Sequence, residues 1–392
     1  MFTDLAAEQT RRGWQVSVLT SNRLWSDPRV RLPSFERWNG VEIHRVFRPG
    51  WRQARPIERL GNSAWMLGAW LARAARLGPF DAIVVGSDPA FAPLIAPGLR
   101  RLFPRAAIAH WCFDLYPEAI AAEGIGAGAA RLEPVARHLM RFAYRAYDAL
   151  VDIGPRMRER LAAYGASARH ETLVPWALAE PERPIAVDAA ARAALFPRAR
   201  LALLYSGTMG RAHEFAELLR LARVCRARSG DAIAICFSVR GARADELQRA
   251  IAADDSNVSM VPFADEVTLQ GRLAAADLHV VSLRADWAGI VVPSKFFASL
   301  AVGRPIVYAG PAESEIARWI GEHDVGFHLT DDTVNPIADR LHALLDDDRA
   351  LGRMRDTAFA VYRREWSKPV TNDRWDRLLR ELAQSRGASI AS

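Results

Sequence analysis

Lysine is nearly missing from these 392 residues: Lys295 and Lys368 stand among 52 basic side chains, and all the others are arginine. Cysteine is scarce too. Cys112, Cys225 and Cys236 form no CxxC pair, and their odd number argues against a disulfide framework. A reducing, cytoplasmic compartment is expected. No run approaches the ~20 apolar residues that span a bilayer. The nearest, Ala82 to Leu99, is broken by Asp88, Pro89, Pro93 and Pro97. Met1 is followed by neither a basic nor an apolar leader segment, so no signal peptide is expected. His44, His170, His323 and His328 are scattered without metal-ligand spacing. There is no nucleophile elbow, no Walker A loop, no short-period repeat and no low-complexity tract.

What is present is a globular composition, 50% hydrophobic and 25% charged, in a chain long enough for two domains. The net charge of +7 is uneven. Residues 1–176 hold 24 Arg against 16 acidic residues, a net of +8; the remainder is close to neutral. A basic first half suits an anionic partner, either a phosphate-bearing lipid or a membrane surface. Arginine-rich composition alone is the plainer reading. Nucleic acid is set aside, because no motif for it accompanies the charge.

Short Val- and Ile-rich runs alternate with amphipathic stretches. In the first half the predicted strands are Trp14–Thr20, Val41–Phe47, Asp81–Gly86, Ala106–Cys112, Ala149–Ile153 and Thr172–Pro175. In the second they are Leu201–Ser206, Ala232–Val239, Val258–Pro262, Leu278–Leu283, Pro305–Tyr308 and Gly326–Leu329. Buried strands between helices mean parallel, doubly wound sheets, and the rhythm occurs twice. We therefore expect an α/β protein of two Rossmann-like domains, 1–178 and 199–366, with a closing helix over 369–385 and a frayed end from Gly387. The first element is an exception. It reads as a helix, Thr3–Arg12, where such a domain opens with a strand and a glycine turn. The first strand of the N-terminal domain is missing, which predicts a gap in a buried layer; either the start lies upstream of Met1 or the domain is repaired in some other way.

Three segments could carry chemistry. Tyr205-Ser-Gly-Thr-Met-Gly210, followed by Arg211 and His213, closes a strand with glycines that let backbone N–H groups approach a phosphate; a plain structural turn has the same look. Gly289-Ile-Val-Val-Pro-Ser-Lys295 leads into a helix over Phe296–Val302 and then Gly303-Arg-Pro305. Pro293 suits a first helical turn, and Ser294 and Lys295 sit at the positive end of its dipole. A capped helix with an exposed Lys is the bland alternative. His110-Trp-Cys-Phe-Asp114-Leu-Tyr-Pro-Glu118 ends a strand of the first domain, where Asp114 could orient an acceptor hydroxyl or only cap the turn. His110 and Glu118 are nearby alternatives. Asp346-Asp-Asp348 reads as solvated surface. The stretch 51–77 interleaves Trp51, Trp65, Leu67, Trp70 and Leu71 with Arg52, Arg55, Arg59, Arg73 and Arg76. That suits an anionic membrane surface, or an ordinary helix with a buried face, which is the reading we favour from sequence.

Taken in order, Asp114-Leu-Tyr-Pro-Glu118, Val174-Pro-Trp176, the Tyr205–His213 segment, Val292-Pro-Ser-Lys295 and Gly303-Arg-Pro305 resemble the retaining glycosyltransferases of family 4. The likeness is strongest to bacterial exopolysaccharide and O-antigen enzymes of the colanic-acid or N-acetyl-fucosamine transferase type. The resemblance implies a GT-B fold, two Rossmann-like domains whose parallel sheets face across a cleft, with the last helix returning to the first domain. It implies a nucleotide-diphosphate sugar, usually a UDP-sugar, on the second domain, and a glycan or polyprenyl-linked acceptor. Gly207, Thr208 and Gly210 would meet the diphosphate through their backbones, with Arg211 and His213 beside them. Pro293, Ser294 and Lys295 would hold its oxygens, and Arg240 or Arg243 would add charge. Asp114 and Lys295 would be the catalytic pair, without cofactor or metal, at the cytoplasmic side or inner membrane face. Three departures stand out: Ile290 and Ala298 occupy the positions of the family's paired glutamates, His213 replaces a lysine, and the N-terminal strand and loop are absent. They motivate an alternative, a non-catalytic GT-B protein that binds a nucleotide-sugar or a partner transferase. A sugar-nucleotide epimerase is a third reading.

Overall fold

The computed structural model describes residues 1–24, 27–52, 55–124 and 126–388. The chain divides into two compact units. One is Met1–Val174 together with the chain from Thr371 on; the other is Pro175–Val370.

Among its described residues unit 1 has seven strands: β1 (Ser17–Ser21), β2 (Phe35–Trp38), β3 (Val41–Val46), β4 (Ala82–Val85), β5 (Ala107–Trp111), β6 (Ala149–Asp152) and β7 (Arg169–Thr172). They form two sheets, ordered β1-β3-β2 and β4-β5-β6-β7. All pairings are parallel except β2 with β3. This antiparallel hairpin is an edge addition to the parallel sheets expected. Asn39 and Gly40 connect it, both with positive φ, as a two-residue hairpin turn requires. β7 also lies earlier than the predicted Thr172–Pro175; Leu173 and Val174 are buried beyond the end of its ladder.

The expected gap is present. Among the described residues β1 pairs only with β3 and β4 only with β5, so each keeps one open edge. β5 is buried throughout, whereas Ala-Ile-Val-Val of β4 is half-buried at every position. The Pro56–Ala74 helix touches β1, β3 and the short turn Ala92–Ile95 that follows β4, which bridges the two sheets. The closing helix, Lys368–Ser385, buries Trp375, Leu378, Leu379 and Leu382, the face its spacing predicts. Trp375 meets Trp111 of β5 edge-on at 5.0 Å. The expectation of a frayed end falls partly on 389–392, outside the described residues.

Unit 2 contains one six-stranded parallel sheet. Its strands are β8 (Leu201–Thr208), β9 (Ile233–Arg240), β10 (Val258–Pro262), β11 (Leu278–Ser282), β12 (Ile306–Ala309) and β13 (Gly326–Leu329), in the order β10-β9-β8-β11-β12-β13. β8 alternates its side chains between two cores. Leu201, Leu203 and Tyr205 join the cluster with Phe237 and Val280, while Ala202 and Leu204 join Phe196, Cys236 and Ala275. The winding runs outward from β8 to β10, then crosses back to β11 on the other side. The carboxyl ends of β8 and β11 are thus the switch point, where open α/β sheets bind ligands. Asp347 caps the Asp348–Glu365 helix, so the acidic run 346–348 is solvated but has a structural duty.

Candidate active site

The switch point of unit 2 brings together Gly207, Thr208, His213 and Lys295. Lys295 opens the helix Lys295–Ala301, and its Nζ donates to the Thr208 carbonyl at 3.1 Å. The same Nζ lies 3.3 Å from His213 Nε2 and 5.1 Å from the centre of the Tyr205 ring. His213 Nδ1 is 2.8 Å from the Ser282 carbonyl, which can only accept. The hydrogen bonds therefore assign the proton to Nδ1 and leave Nε2 to accept from Lys295. Burial, then the charge of Lys295, lowers the His213 pKa to about 4, so the ring is neutral near pH 7. An ammonium has three N–H donors. Two have partners here, and the third is available to a phosphate oxygen.

Gly207 belongs to this arrangement for two reasons. Its φ is +141, a conformation other residues rarely adopt, and a Cβ there would stand 2.4 Å from Lys295 Cε. Gly210 is under no such constraint, since a Cβ there would meet only Thr208 Cγ2 at 3.9 Å. Pro293 is buried, and Ser294 is the exposed N-cap of the helix without a side-chain capping bond.

The arginines are deployed differently from one another. Arg243 bonds Glu246 at 2.7 Å, reaches Glu214 at 3.5 Å and donates to the His213 carbonyl. It clamps the loop that carries His213. Arg240 is exposed with its guanidinium 4.4 Å from the Phe263 ring centre, and Arg211 is exposed on the loop. Ile290 is buried and Ala298 half-buried, so neither position offers a carboxylate to a donor's ribose.

Burial lowers the Lys295 pKa to about 8. The cation is therefore held below pH 8 and lost above it. Affinity for a nucleoside diphosphate is expected to fall about tenfold between pH 7 and pH 9, because bound phosphate favours the protonated amine. Calorimetric titration of UDP across that range checks this; a flat profile would remove Lys295 from the diphosphate.

Unit 1 holds a second cluster at the carboxyl ends of β4 and β5. The Ser87 hydroxyl accepts from Phe113 N at 2.8 Å and from Asp114 N at 3.4 Å, which joins the two loops. Asp114 is open to solvent, but the protein around it and then the like charge of Asp88 push its carboxyl up to about 6. Asp88 is raised by burial, an effect that Arg48 opposes. The other sequence candidates prove structural. His110 is buried, with Nδ1 3.0 Å from the Val85 carbonyl, and burial takes its pKa down to about 4. Glu118 is buried, accepts from Tyr164 Oη at 2.8 Å and pairs with Arg137 at 3.0 Å.

Two participants escaped the sequence reading. Ser282 acts through a main-chain carbonyl, which no residue type announces. Asp88 was legible as a carboxylate just past a predicted strand, the same position in the fold that singled out Asp114.

Residues 1–177 match the glycosyl transferase 4-like domain. The chain is 23% identical over 333 residues to a Pseudomonas aeruginosa protein named Probable glycosyltransferase WbjE, covering 81% of this chain and 78% of that one. Among solved structures it is similar to sucrose-phosphate synthase of Thermosynechococcus elongatus (TM-score 0.69, 15% identity, 98% of this chain and 93% of that). It is also similar to WaaG, a glycosyltransferase involved in lipopolysaccharide biosynthesis (TM-score 0.62, 16% identity, 96% and 94%). A further likeness is to Anabaena HepE in complex with UDP (TM-score 0.60, 12% identity, 87% and 86%). Fold and relatives together define a glycosyltransferase of the GT-B class. The family match lies in residues 1–177, and over most of its length the chain is similar to a bacterial glycosyltransferase.

Proposed function

We propose that the enzyme moves a sugar from a nucleotide-diphosphate donor, a UDP-sugar, to a glycan or polyprenyl-linked acceptor, with retention at the anomeric carbon, in the assembly of a surface polysaccharide or lipopolysaccharide at the inner face of the membrane. The observation that carries this is the Lys295 ammonium, fixed by Thr208 and His213 at the switch point of unit 2. The diphosphate lies against Gly207 and Thr208, and Lys295 supplies positive charge to it without a metal. Charge grows on the leaving diphosphate as the glycosidic C–O bond breaks, so a fixed cation there stabilises the transition state more than the ground state. The acceptor oxygen bonds the anomeric carbon, and its proton passes to the departing phosphate oxygen on the same face. Asp114, ionised above pH 6, accepts a hydrogen bond from the acceptor hydroxyl and orients it. The HepE complex with UDP supports the choice of nucleotide, and the involvement of WaaG in lipopolysaccharide biosynthesis supports the choice of pathway.

Asp114→Asn is expected to lower kcat about tenfold or more while UDP affinity stays within a factor of ~2. Steady-state kinetics beside calorimetry separate the two; equal losses in both would make Asp114 a structural residue.

A second reading has support in the open sheet edges of unit 1 and the apolar Ile290 and Ala298. In it the protein binds nucleotide-sugar, or a partner transferase, without turnover. Product formed by the purified chain from any donor excludes it.

A further inference from the structure

Arg48 is a buried cation without a counter-charge. Only 7% of it is exposed. A guanidinium carries five N–H donors and is costly to bury unless it is paired. Other arginines drawn into the fold obey that rule. Arg192 and Arg355 share Asp277, Arg100 meets Asp148, and Arg304 is held by carbonyls. Arg48 has one side-chain hydrogen bond among the described residues, from Nη2 to the Leu24 carbonyl at 3.3 Å. Its Nε is buried with no partner. Asp88 is the carboxylate whose charge it feels, yet among the described residues Arg48 forms no ion pair.

A second arginine stands beside it. The parallel ladder of β1 and β3 ends at Ser21 and Val46, and Arg23 and Arg48 each follow two residues later. Asn22 joins the two loops: its N donates to the Val46 carbonyl at 2.9 Å, and its Oδ1 accepts from Arg48 N at 3.1 Å. Arg23 Nε donates to the Arg48 carbonyl at 2.8 Å and its Nη1 to the Pro28 carbonyl. Among the described residues Arg23 too has carbonyls and no carboxylate as partners. The register of the sheet therefore sets two like charges side by side, and burial together with Arg23 lowers the Arg48 pKa. An apolar side chain would fill the place of Arg48 at less cost to folding. An oxyanion that accepts from both guanidinium groups removes the repulsion and gives the buried N–H its partner.

The pair lies past the carboxyl ends of two strands of unit 1, where open α/β sheets bind ligands. Asp88 and Asp114 hold the matching places after β4 and β5, each three residues past its strand. The charge of Asp88 acts on Arg48 and also on Asp114, so the arginines and the acceptor-orienting carboxylate are neighbours.

We propose that Arg48 and Arg23 bind an oxyanion of the acceptor, a phosphate or a carboxylate borne near the hydroxyl that Asp114 orients. The proposal rests on the reading of unit 1 as the acceptor's side, and it adds that the acceptor is anionic. A guanidinium fork fits either oxyanion, so a lipid-linked diphosphate and an acidic sugar share the chemistry.

Calorimetric titration of the full chain, saturated with UDP so that Lys295 is engaged, is to be made with inorganic diphosphate and with glucuronate. Binding of at least one is expected; diphosphate as the tighter ligand assigns a phosphate-borne acceptor, glucuronate an acidic sugar. Arg48→Met is expected to lower that affinity about tenfold or more, and Asp88→Asn to raise it about threefold by removing a like charge beside the anion. Lys295→Ala without UDP is expected to bind the anion as the UDP-saturated wild type does, which separates this site from the donor site and keeps the test valid if UDP does not bind. Arg48→Met is also expected to melt at or above the wild-type temperature, since the buried charge it removes has no partner. A clearly lower melting temperature would make Arg48 a structural donor to Leu24 and overturn the proposal. So would absence of anion binding to wild type, or equal binding in Arg48→Met.

Discussion

Replacing Lys295 by Ala is expected to reduce kcat/KM for the sugar donor about a hundredfold or more, the loss seen when a group that stabilises transition-state charge is removed. The expectation rests on position. The ammonium is fixed by an acceptor on β8 and by a neutral histidine, itself anchored to β11. Nothing in this arrangement requires the cation for folding. Burial already lowers its pKa to about 8, so the amine is somewhat destabilised where it stands. Lys295→Ala is therefore expected to melt at or near the wild-type temperature while losing turnover. Lys295→Arg is expected to restore the charge but little of the rate, because Gly207 and the Tyr205 ring bound the space tightly. Steady-state kinetics with a donor in excess measure it, and near-wild-type turnover in the Ala variant would sink the assignment.

Arg304→Met is expected to act on stability instead, at a cost of about 3 kcal/mol or more. Arg304 has no exposed surface. Its Nε donates to the Ala276 carbonyl at 2.7 Å and Nη2 to Ala274 at 3.1 Å, while Nη1 reaches the Val302 and Gly303 carbonyls at 3.3 and 3.4 Å. One planar guanidinium thus closes the ends of the helices Glu266–Ala274 and Lys295–Ala301. Burial, and then neighbouring Arg355, lower its pKa to about 10, so it remains charged at neutral pH. A methionine fills similar volume but leaves buried carbonyls unpaired. Urea unfolding followed through the unit 2 transition measures the loss. A change below ~0.5 kcal/mol would mean that the acceptors find other donors.

The fold was legible wherever strands are buried on both faces. β8, β9 and β11 read as apolar runs because a parallel sheet covered by helices admits little else. β2 was missed because Phe35-Glu-Arg-Trp38 lies at an edge, largely exposed, and so lacks that pattern. Its signal was the turn, Asn39-Gly40, rather than the strand. At the site, Gly207 and Lys295 were visible because their tasks demand a residue type: backbone at φ +141 in one case, a long cation in the other. Carbonyl acceptors such as Ser282 leave no trace in composition. His110 and Asp114 could not be ranked from sequence, since only the ladder shows that His110 points into the core. The 51–77 stretch, read as an ordinary helix with a buried face, does bury Met66 and Ala74 beside Asn62 and Ser63, while Trp51 and Trp65 stay exposed.

The central claim, a donor site on unit 2 centred on Lys295, is tested most directly by hydrogen–deuterium exchange of the full chain with and without saturating UDP. Protection is expected in two segments, Tyr205 to His213 and Val292 to Phe296, with the same segments unprotected in Lys295→Ala. Protection confined to unit 1, or equal protection in wild type and the Ala variant, would contradict it.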